Sequence, residues 1–363
     1  MSSIRLEYEI LLSGVYPFEG PLEKNGFNFV KNIVDGNKFN DLCNSSVIYI
    51  SPFLGMCSYP DDSGKSIYLT LQKTEYINIE YDSTKEYDVA FTNQYLQSLD
   101  LFNVIDNLEK TMVLEINNDI KFPIKIIRAY KPNGDFVTLI GDFMRLNVPS
   151  LISNDHRKAL EVMKRQDNRL NSGIAYEKVI ELAEQNSYFN NALTMYQSSF
   201  SVSDYMVGFV LLVTALESLL SLSTYATPER CTECGQIKYK IRATVAESVS
   251  ILLMDENEEI KRAIKKFYDK RSKFLHSGAR DITKNDEQVM QEYVRKVLLM
   301  YWGVSMGKSS TKHNEIMAEI QSEEYKTNLM YKSFLTGLDN TFFDEKRIKI
   351  LKDTMLHIFK NIK

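Results

Sequence analysis

The spacing of hydrophobic positions changes near the middle of the chain. In the first 150 residues, apolar and polar residues alternate in short runs, which is the pattern of β-strands with one buried face. Four such runs are predicted strands, at 67–72, 76–81, 111–116 and 124–130. Turn-forming sequences lie at 60–65 (PDDSGK) and 131–135 (KPNGD), and one helix-like run, 93–102, is expected to pack across the sheet.

After residue 175 the apolar positions recur with the period of an α-helix. The predicted helices are 176–185, 189–198, 203–222, 236–253, 257–276, 286–307 and 344–362. Seven of the eight prolines lie in the first 150 residues, and proline interrupts helices but is tolerated in turns and at sheet edges. The sequence therefore predicts an α+β protein: a mostly antiparallel β domain at 1–150, a linker at 151–175 and an all-α helical domain at 176–363.

Composition indicates an ordinary globular protein and no particular chemical activity. The chain has 363 residues, of which 44% are hydrophobic and 25% charged, as in average globular proteins. Its formal net charge is −4, so any contact with nucleic acid must come from a local basic patch. Four cysteines do not make a disulfide framework and the N-terminus has no secretory pattern, so we expect a cytoplasmic protein.

An apolar run and a cysteine pair each allow two interpretations. The run at 205–222 is long enough to cross a membrane, but Glu217 and the lack of basic flanks favour a buried helix. Cys231 and Cys234 form half of a zinc site, and nothing in the spacing identifies the other ligands. We expect free thiols and no metal, with a structural zinc ion as the alternative. Three histidines without acidic partners are expected to be structural or solvated: His156, His313 and His357.

The segment 261–273 (KRAIKKFYDKRSK) is strongly basic, with seven cationic residues against one aspartate. Within the same predicted helix, Arg271 and His276 lie about 140° apart around the axis and could both reach a small anion beyond the helix end. The negative end of the helix dipole favours a protonated imidazole, and arginine offers a planar fork to phosphate oxygens. This pattern suits acid–base chemistry on a phosphate ester. The alternative is a solvated cationic face whose histidine helps to cap the helix, and composition alone favours that alternative.

A carboxylate links this patch to an earlier helix. Glu217 lies in the otherwise apolar segment ALESLL (215–220), and a buried carboxylate needs a partner, usually an arginine. The chain continues with IKYKIRATVAESVSILL (237–253) and IKKFYDKRSKFLHSG (264–278). The order of these three segments resembles a HEPN domain, in particular the ApeA-like HEPN group of bacterial anti-phage defence proteins.

The resemblance is most specific around the basic segment. HEPN ribonucleases share an R-x4–6-H motif, usually with a polar residue directly after the arginine, and Arg271, Ser272 and His276 fit it. One departure is Ser277, which stands where many relatives have glycine. The resemblance covers roughly 176–307, and the N-terminal β domain is similar in architecture only.

The resemblance implies a helical bundle with metal-independent ribonuclease activity and no cofactor. His276 would accept the proton of the ribose 2′-OH or protonate the leaving 5′-oxygen, and Arg271 would stabilise charge on the phosphorane. Glu217 would orient one of these two side chains. Candidates for holding the substrate are Ser272, Lys270 and Lys273. In-line attack needs a base and an acid on opposite sides of the phosphate, so we expect a homodimer, or a higher even oligomer, with a shared site.

The implied function is cleavage of RNA, with tRNA as one candidate, in bacterial antiviral defence of the abortive-infection type. The products would carry a 2′,3′-cyclic phosphate. A phage-derived trigger or inhibitor protein would control the activity, with the β domain as the candidate sensor, and no membrane partner is expected. One alternative is a non-catalytic HEPN module that binds RNA or a partner protein. Another is an interaction scaffold whose active part is the β domain.

Overall fold

The computed structural model divides into two compact units, Met1–Asn168 and Arg169–Lys363. It describes residues 2–15, 22–33, 59–60, 66–79, 101–117, 120–130, 136–140, 174–220, 241–253 and 258–322. Among these residues, the first unit has seven strands and one helix, and the second has helices alone. The predicted α+β class is therefore confirmed. The linker predicted at 151–175 lies outside the described residues except for its last two positions.

An antiparallel sheet forms the body of the first unit. Its strands are β1 (Ser2–Ser13), β2 (Glu23–Lys24), β3 (Phe27–Ile33), β4 (Tyr59–Pro60), β5 (Ser66–Ile79), β6 (Lys121–Tyr130) and β7 (Phe136–Ile140). Their order is β2-β3-β5-β1-β6-β7, and β4 pairs with β5. In β1, every second residue from Ile4 to Ile10 is buried and those between are more exposed, because successive side chains point to opposite faces. The turn sequences 61–65 and 131–135 lie outside the described residues, between strands that pair with each other.

Two sequence predictions in this unit need correction. The strands predicted at 67–72 and 76–81 are one strand, β5, as far as Ile79, the last residue described there, because pairing with β1 continues from Leu11 to Ser2 without a break. The strand predicted at 111–116 is the second half of a helix, α1 (Leu101–Ile116). All six of its residues are buried, and a run buried on every side has no alternation that would separate a strand from a helix.

Contacts within α1 and between α1 and the sheet explain why this segment is a helix and not a strand. Thr111 Oγ1 donates to the carbonyl oxygen of Asn107 at 2.8 Å, so the buried hydroxyl is satisfied inside the helix. Lys125 of β6 forms ion pairs with Asp106 and with Glu109, the latter at 3.3 Å, and these pairs hold α1 on the sheet. The helix predicted at 93–102 overlaps only the start of α1, and residues 93–100 lie outside the described residues.

The second unit is a bundle of helices. They are α2 (Tyr176–Gln185), α3 (Ser187–Ser201), α4 (Tyr205–Leu220), α5 (Ile241–Leu252), α6 (Glu259–Ser277), α7 (Lys284–Lys308) and α8 (His313–Gln321). Six of these were predicted. Helix α8 was not, because its nine residues offer little periodicity, although Ile316, Met317 and Ile320 are buried. The helix predicted at 344–362 lies outside the described residues.

Helix α4 lies inside this bundle and packs against α3, α6 and α7. Its side chains are largely buried, as its apolar sequence predicts. Gly208 permits the close approach to α7, because a Cβ at this position would overlap Glu287 Oε1 and lie 3.1 Å from the carbonyl oxygen of Ser199. No helix in the described ranges has the length and apolar character needed to cross a membrane.

Candidate functional site

Helix α6 carries most of the candidate residues, and its sequence sets its orientation and its end. Ile264, Phe267 and Tyr268 are buried against the bundle, so the strongly charged remainder faces outward. The helix stops after Ser277, where Gly278 takes the left-handed conformation with φ of 68° and its N–H donates to the carbonyl oxygen of Phe274. This glycine is the helix stop that the sequence predicts, because glycine adopts positive φ without a steric penalty.

The structure brings Arg271 and Glu217 together across α6 and α4. Arg271 Nη2 donates to Glu217 Oε2 at 3.3 Å, and the two side chains are 26% and 21% exposed. Within the described part of the chain, Arg271 Nε is buried without a hydrogen-bond partner. Burial raises the pKa of Glu217 above its ordinary value, and the positive charge of Arg271 opposes part of that rise. The pair is a single, partly buried contact that leaves several guanidinium donors unused.

His276 lies in the last turn of α6 and is exposed to solvent. At 100° per residue, His276 and Arg271 lie about 140° apart around the axis. The structure therefore directs them differently: Arg271 faces α4 inside the bundle, whereas His276 lies on the outer face. Leu275 is also exposed at this end, by 49%.

The outer face of α6 forms an exposed stripe, which consists of Arg262, Lys266, Asp269, Lys273 and His276. These residues span about 80° of arc, and Lys266 and His276 are about 15 Å apart along the axis. Asp269 in this stripe forms an ion pair with Arg242 of α5. The stripe therefore presents cations along a line that ends at the histidine.

The remaining basic residues of the segment are not all available for a ligand. Lys261 pairs with Glu247 and Glu258 at 2.6 and 2.9 Å. Lys270, which the sequence placed among the substrate contacts, pairs with Asp286 of α7 at 2.6 Å, and these side chains are 15% and 14% exposed. Of the predicted substrate contacts, Ser272 and Lys273 are exposed and Lys270 is held inside an ion pair.

Asp286 is a residue that sequence reasoning missed. It belongs to a capping box with Thr283 at the start of α7, in which each side chain accepts from the other residue's backbone N–H. The T-x-x-D pattern at 283–286 was visible in the sequence and would have placed the helix start at Lys284. Nothing in the pattern indicated that Lys270, sixteen positions earlier, also reaches this carboxylate.

The other candidate ligands do not form a second site in the described ranges. His313 is buried, its Nδ1 lies 2.9 Å from the Tyr301 hydroxyl, and its ring stacks on Tyr188, so it has the structural role expected. His156, His357, Cys231 and Cys234 lie outside the described residues. No group of three or more histidine, cysteine, aspartate or glutamate side chains that could hold a metal ion occurs in the portion described.

Comparison with known proteins identifies no relative. No family model, no curated protein and no solved structure matches this chain. The case for a HEPN domain therefore depends on the order of the three sequence segments and on the placement of Glu217, Arg271 and His276 on α4 and α6.

Proposed function

We propose that this protein is a metal-independent endoribonuclease of the HEPN type. It would cleave RNA by attack of the ribose 2′-OH on the adjacent phosphorus, leaving a 2′,3′-cyclic phosphate and a 5′-hydroxyl. One observation carries the proposal: Glu217 of α4 contacts Arg271 of α6, and His276 is exposed at the end of the same helix. A buried anchor for the arginine and an accessible imidazole are what this chemistry requires.

Arg271 is suited to stabilise charge on the phosphorane. A guanidinium has five N–H donors in a fixed plane, and the single contact with Glu217 uses one of them. Glu217 orients the group through its contact with Nη2, and the other guanidinium nitrogen Nη1 forms no contact with this carboxyl. A preorganised donor of this kind stabilises the transition state without reorganisation during the reaction.

His276 is suited to proton transfer because solvent and substrate can reach its imidazole. One histidine cannot readily serve as base and acid on opposite sides of a phosphate within one turnover. A second copy of the chain would supply the second imidazole, and the exposed Leu275 beside His276 would contribute apolar contact to such a dimer.

The exposed stripe of α6 supplies the substrate-binding surface of this proposal. Lys273 of the stripe and the neighbouring Ser272 are exposed about one turn before His276, and Lys266 lies about 15 Å from His276 along the axis. Together they can contact successive phosphates of a single strand. Such contacts make binding depend on salt, because each phosphate neutralised releases counterions.

The decisive experiment is an RNA cleavage assay in EDTA, with single-stranded DNA of the same sequence as a substrate control. The wild-type protein is expected to cut RNA alone, and the ends should be cyclic phosphate and 5′-hydroxyl. His276→Asn and Arg271→Gln should each lose about a hundredfold or more in rate. Lys312→Gln, which changes an exposed charge on a different part of the unit, is the control and should cleave as the wild type does. DNA cleavage, or cleavage restored only by a divalent ion, would contradict the proposal.

The biological setting of the proposal is bacterial antiviral defence in the cytoplasm, with cellular RNA such as tRNA as the substrate and a phage-derived protein as trigger or inhibitor. The alternative, a non-catalytic module that binds RNA or a partner protein, is favoured by one observation: Arg271 and His276 do not face the same side of α6. The same assay separates the two, because a binding module would retard RNA in a gel without cutting it.

A further inference from the structure

We propose that Lys270 and Asp286 act as a positioning pair that holds the end of α6, and with it His276, against the start of α7. This inference rests on the proposed ribonuclease function and adds to it two residues that would act without touching the substrate. It also replaces the interpretation of Lys270 as an RNA contact.

The Asp286 carboxylate is the meeting point of three donors. Its Oδ2 accepts from Lys270 Nζ at 2.6 Å, from the Thr283 backbone N–H at 2.7 Å and from the Thr283 hydroxyl at 2.7 Å. The Asp286 N–H in turn donates to Thr283 Oγ1 at 3.2 Å. One carboxylate oxygen therefore joins the body of α6 to the first residues of α7.

The residue after Lys270, Arg271, also joins α6 to another helix. Arg271 joins α6 to α4 through Glu217, and Lys270 joins it to α7 through Asp286. Because adjacent residues point about 100° apart, the two pairs restrain α6 from different directions at one level along its axis. That level is about 8 to 9 Å before His276.

Beyond these two pairs, the last turn of α6 is held by bonds within the turn itself. Ser277 Oγ donates to the Lys273 carbonyl oxygen at 2.7 Å, and the Gly278 N–H donates to that of Phe274. Among the polar contacts described between α6 and other helices, those of Lys270 and Arg271 lie nearest to His276, so they are the ones best placed to fix its orientation. A displacement of about 1 Å at a catalytic group can cost up to a hundredfold in rate.

The competing interpretation, that Lys270 binds an RNA phosphate, makes opposite predictions. Lys270→Met would then raise KM and reduce the salt dependence of single-strand binding by about 0.7 in the log–log slope. Asp286→Asn would release Lys270 and tighten RNA binding. A positioning pair instead lowers kcat in both variants, with KM and the salt slope unchanged.

The test measures kcat, KM and the salt slope for Lys270→Met, Asp286→Asn, the double variant and Lys270→Arg, with Lys265→Met as the control for loss of one charge on α6. We expect kcat to fall about tenfold in both single variants and no further in the double variant, since both remove one interaction. Lys270→Arg should restore most of the rate because arginine can also pair with Asp286. Tighter RNA binding by Asp286→Asn, or wild-type kcat in both single variants, would overturn the proposal.

A second measurement separates this inference from the proposed function. Amide hydrogen exchange at residues 272–278 should accelerate in Lys270→Met and Asp286→Asn and stay unchanged in Lys265→Met, whether or not the protein cuts RNA. If the wild-type protein cuts no RNA and the variants still show this exchange pattern, the ribonuclease proposal is refuted and the positioning pair is retained. Unchanged exchange in all three variants would refute the positioning pair itself.

Discussion

Arg271 and His276 lie on one helix but face different sides of it. Arg271 points to Glu217 inside the bundle at 3.3 Å, and His276 lies in the exposed last turn. A phosphate held between a base, an acid and a charge stabiliser needs groups from more than one direction. A single α6 carries Arg271 and His276 on two different faces. The proposed reaction would therefore need the ends of two α6 helices, one from each of two chains, around one phosphate.

Activity should accordingly depend on association of two chains. We expect specific activity to fall when the protein is diluted below its dimer dissociation constant, because each half-site then lacks its second imidazole. Leu275→Lys, which places a charge at the exposed leucine beside His276, should weaken both association and cleavage. Sedimentation and cleavage assays over the same concentrations test this. A monomer with full activity would rule out the shared site.

Removal of the Glu217 charge should affect catalysis more than stability. Because the folded pKa lies above the unfolded value, the charged carboxylate opposes folding at neutral pH, and Glu217→Gln removes that cost. We expect Glu217→Gln to unfold within about 1 kcal/mol of the wild type and to lose about tenfold in rate as Arg271 reorients. Glu217→Ala should cost about 1 to 2 kcal/mol, since Arg271 is then partly buried without its partner.

The control for this pair of variants is Glu247→Gln. Glu247 also pairs with a cation of α6, but its side chain is 52% exposed and its partner, Lys261, lies fifteen residues before His276 on that helix. Urea unfolding and single-turnover cleavage should both remain close to wild type. Full activity in Glu217→Gln would remove Glu217 from the site and leave it a structural residue.

The Asp286 contacts should stabilise the helical unit at neutral pH and lose their effect in acid. Burial alone would raise the pKa of Asp286, but the bonds from Lys270 and Thr283 outweigh it and hold the pKa below its ordinary value. An acid whose folded pKa is depressed contributes stability above its unfolded pKa, near 3.8, and loses it as the pH falls through the folded value. The free energy of unfolding, measured in urea at pH 7, 5, 4 and 3, should be higher for the wild type than for Asp286→Asn. This difference should disappear below about pH 4. A constant difference would contradict this.

Gly208→Ala should destabilise the bundle although alanine is the better helix former. The added Cβ would overlap Glu287 Oε1 of α7, which must move aside, and would lie 3.1 Å from the Ser199 carbonyl oxygen of α3, so α4 must also shift slightly. We expect a cost of about 1 to 3 kcal/mol in the free energy of unfolding. Gly307→Ala, at an exposed position near the end of α7, is the control and should be neutral or slightly stabilising. Equal stability of both variants would show that the helices are less closely packed than described.

Much of the fold was predictable because the relevant patterns are local. The concentration of prolines before residue 150 and the change from alternating to helical periodicity separated the β-rich part from the helical part. The end of α6 at Gly278 depends on the conformational freedom of one glycine. The need of Glu217 for a partner also followed from its own surroundings, a carboxylate inside an apolar helix.

Other features depend on contacts between distant parts of the chain. The run 111–116 is buried on every side, so its sequence lacks the alternation that would separate a strand from a helix. Lys270 was predicted to contact the RNA backbone, and nothing in the sequence indicated that α7 places Asp286 beside it. Sequence thus determined the class, the end of α6 and the types of side chain available for chemistry. The packing of the helices decides which cations remain available to a phosphate and which are held in ion pairs. The reason is that a charge pair forms only where tertiary structure brings its two members within a few ångströms.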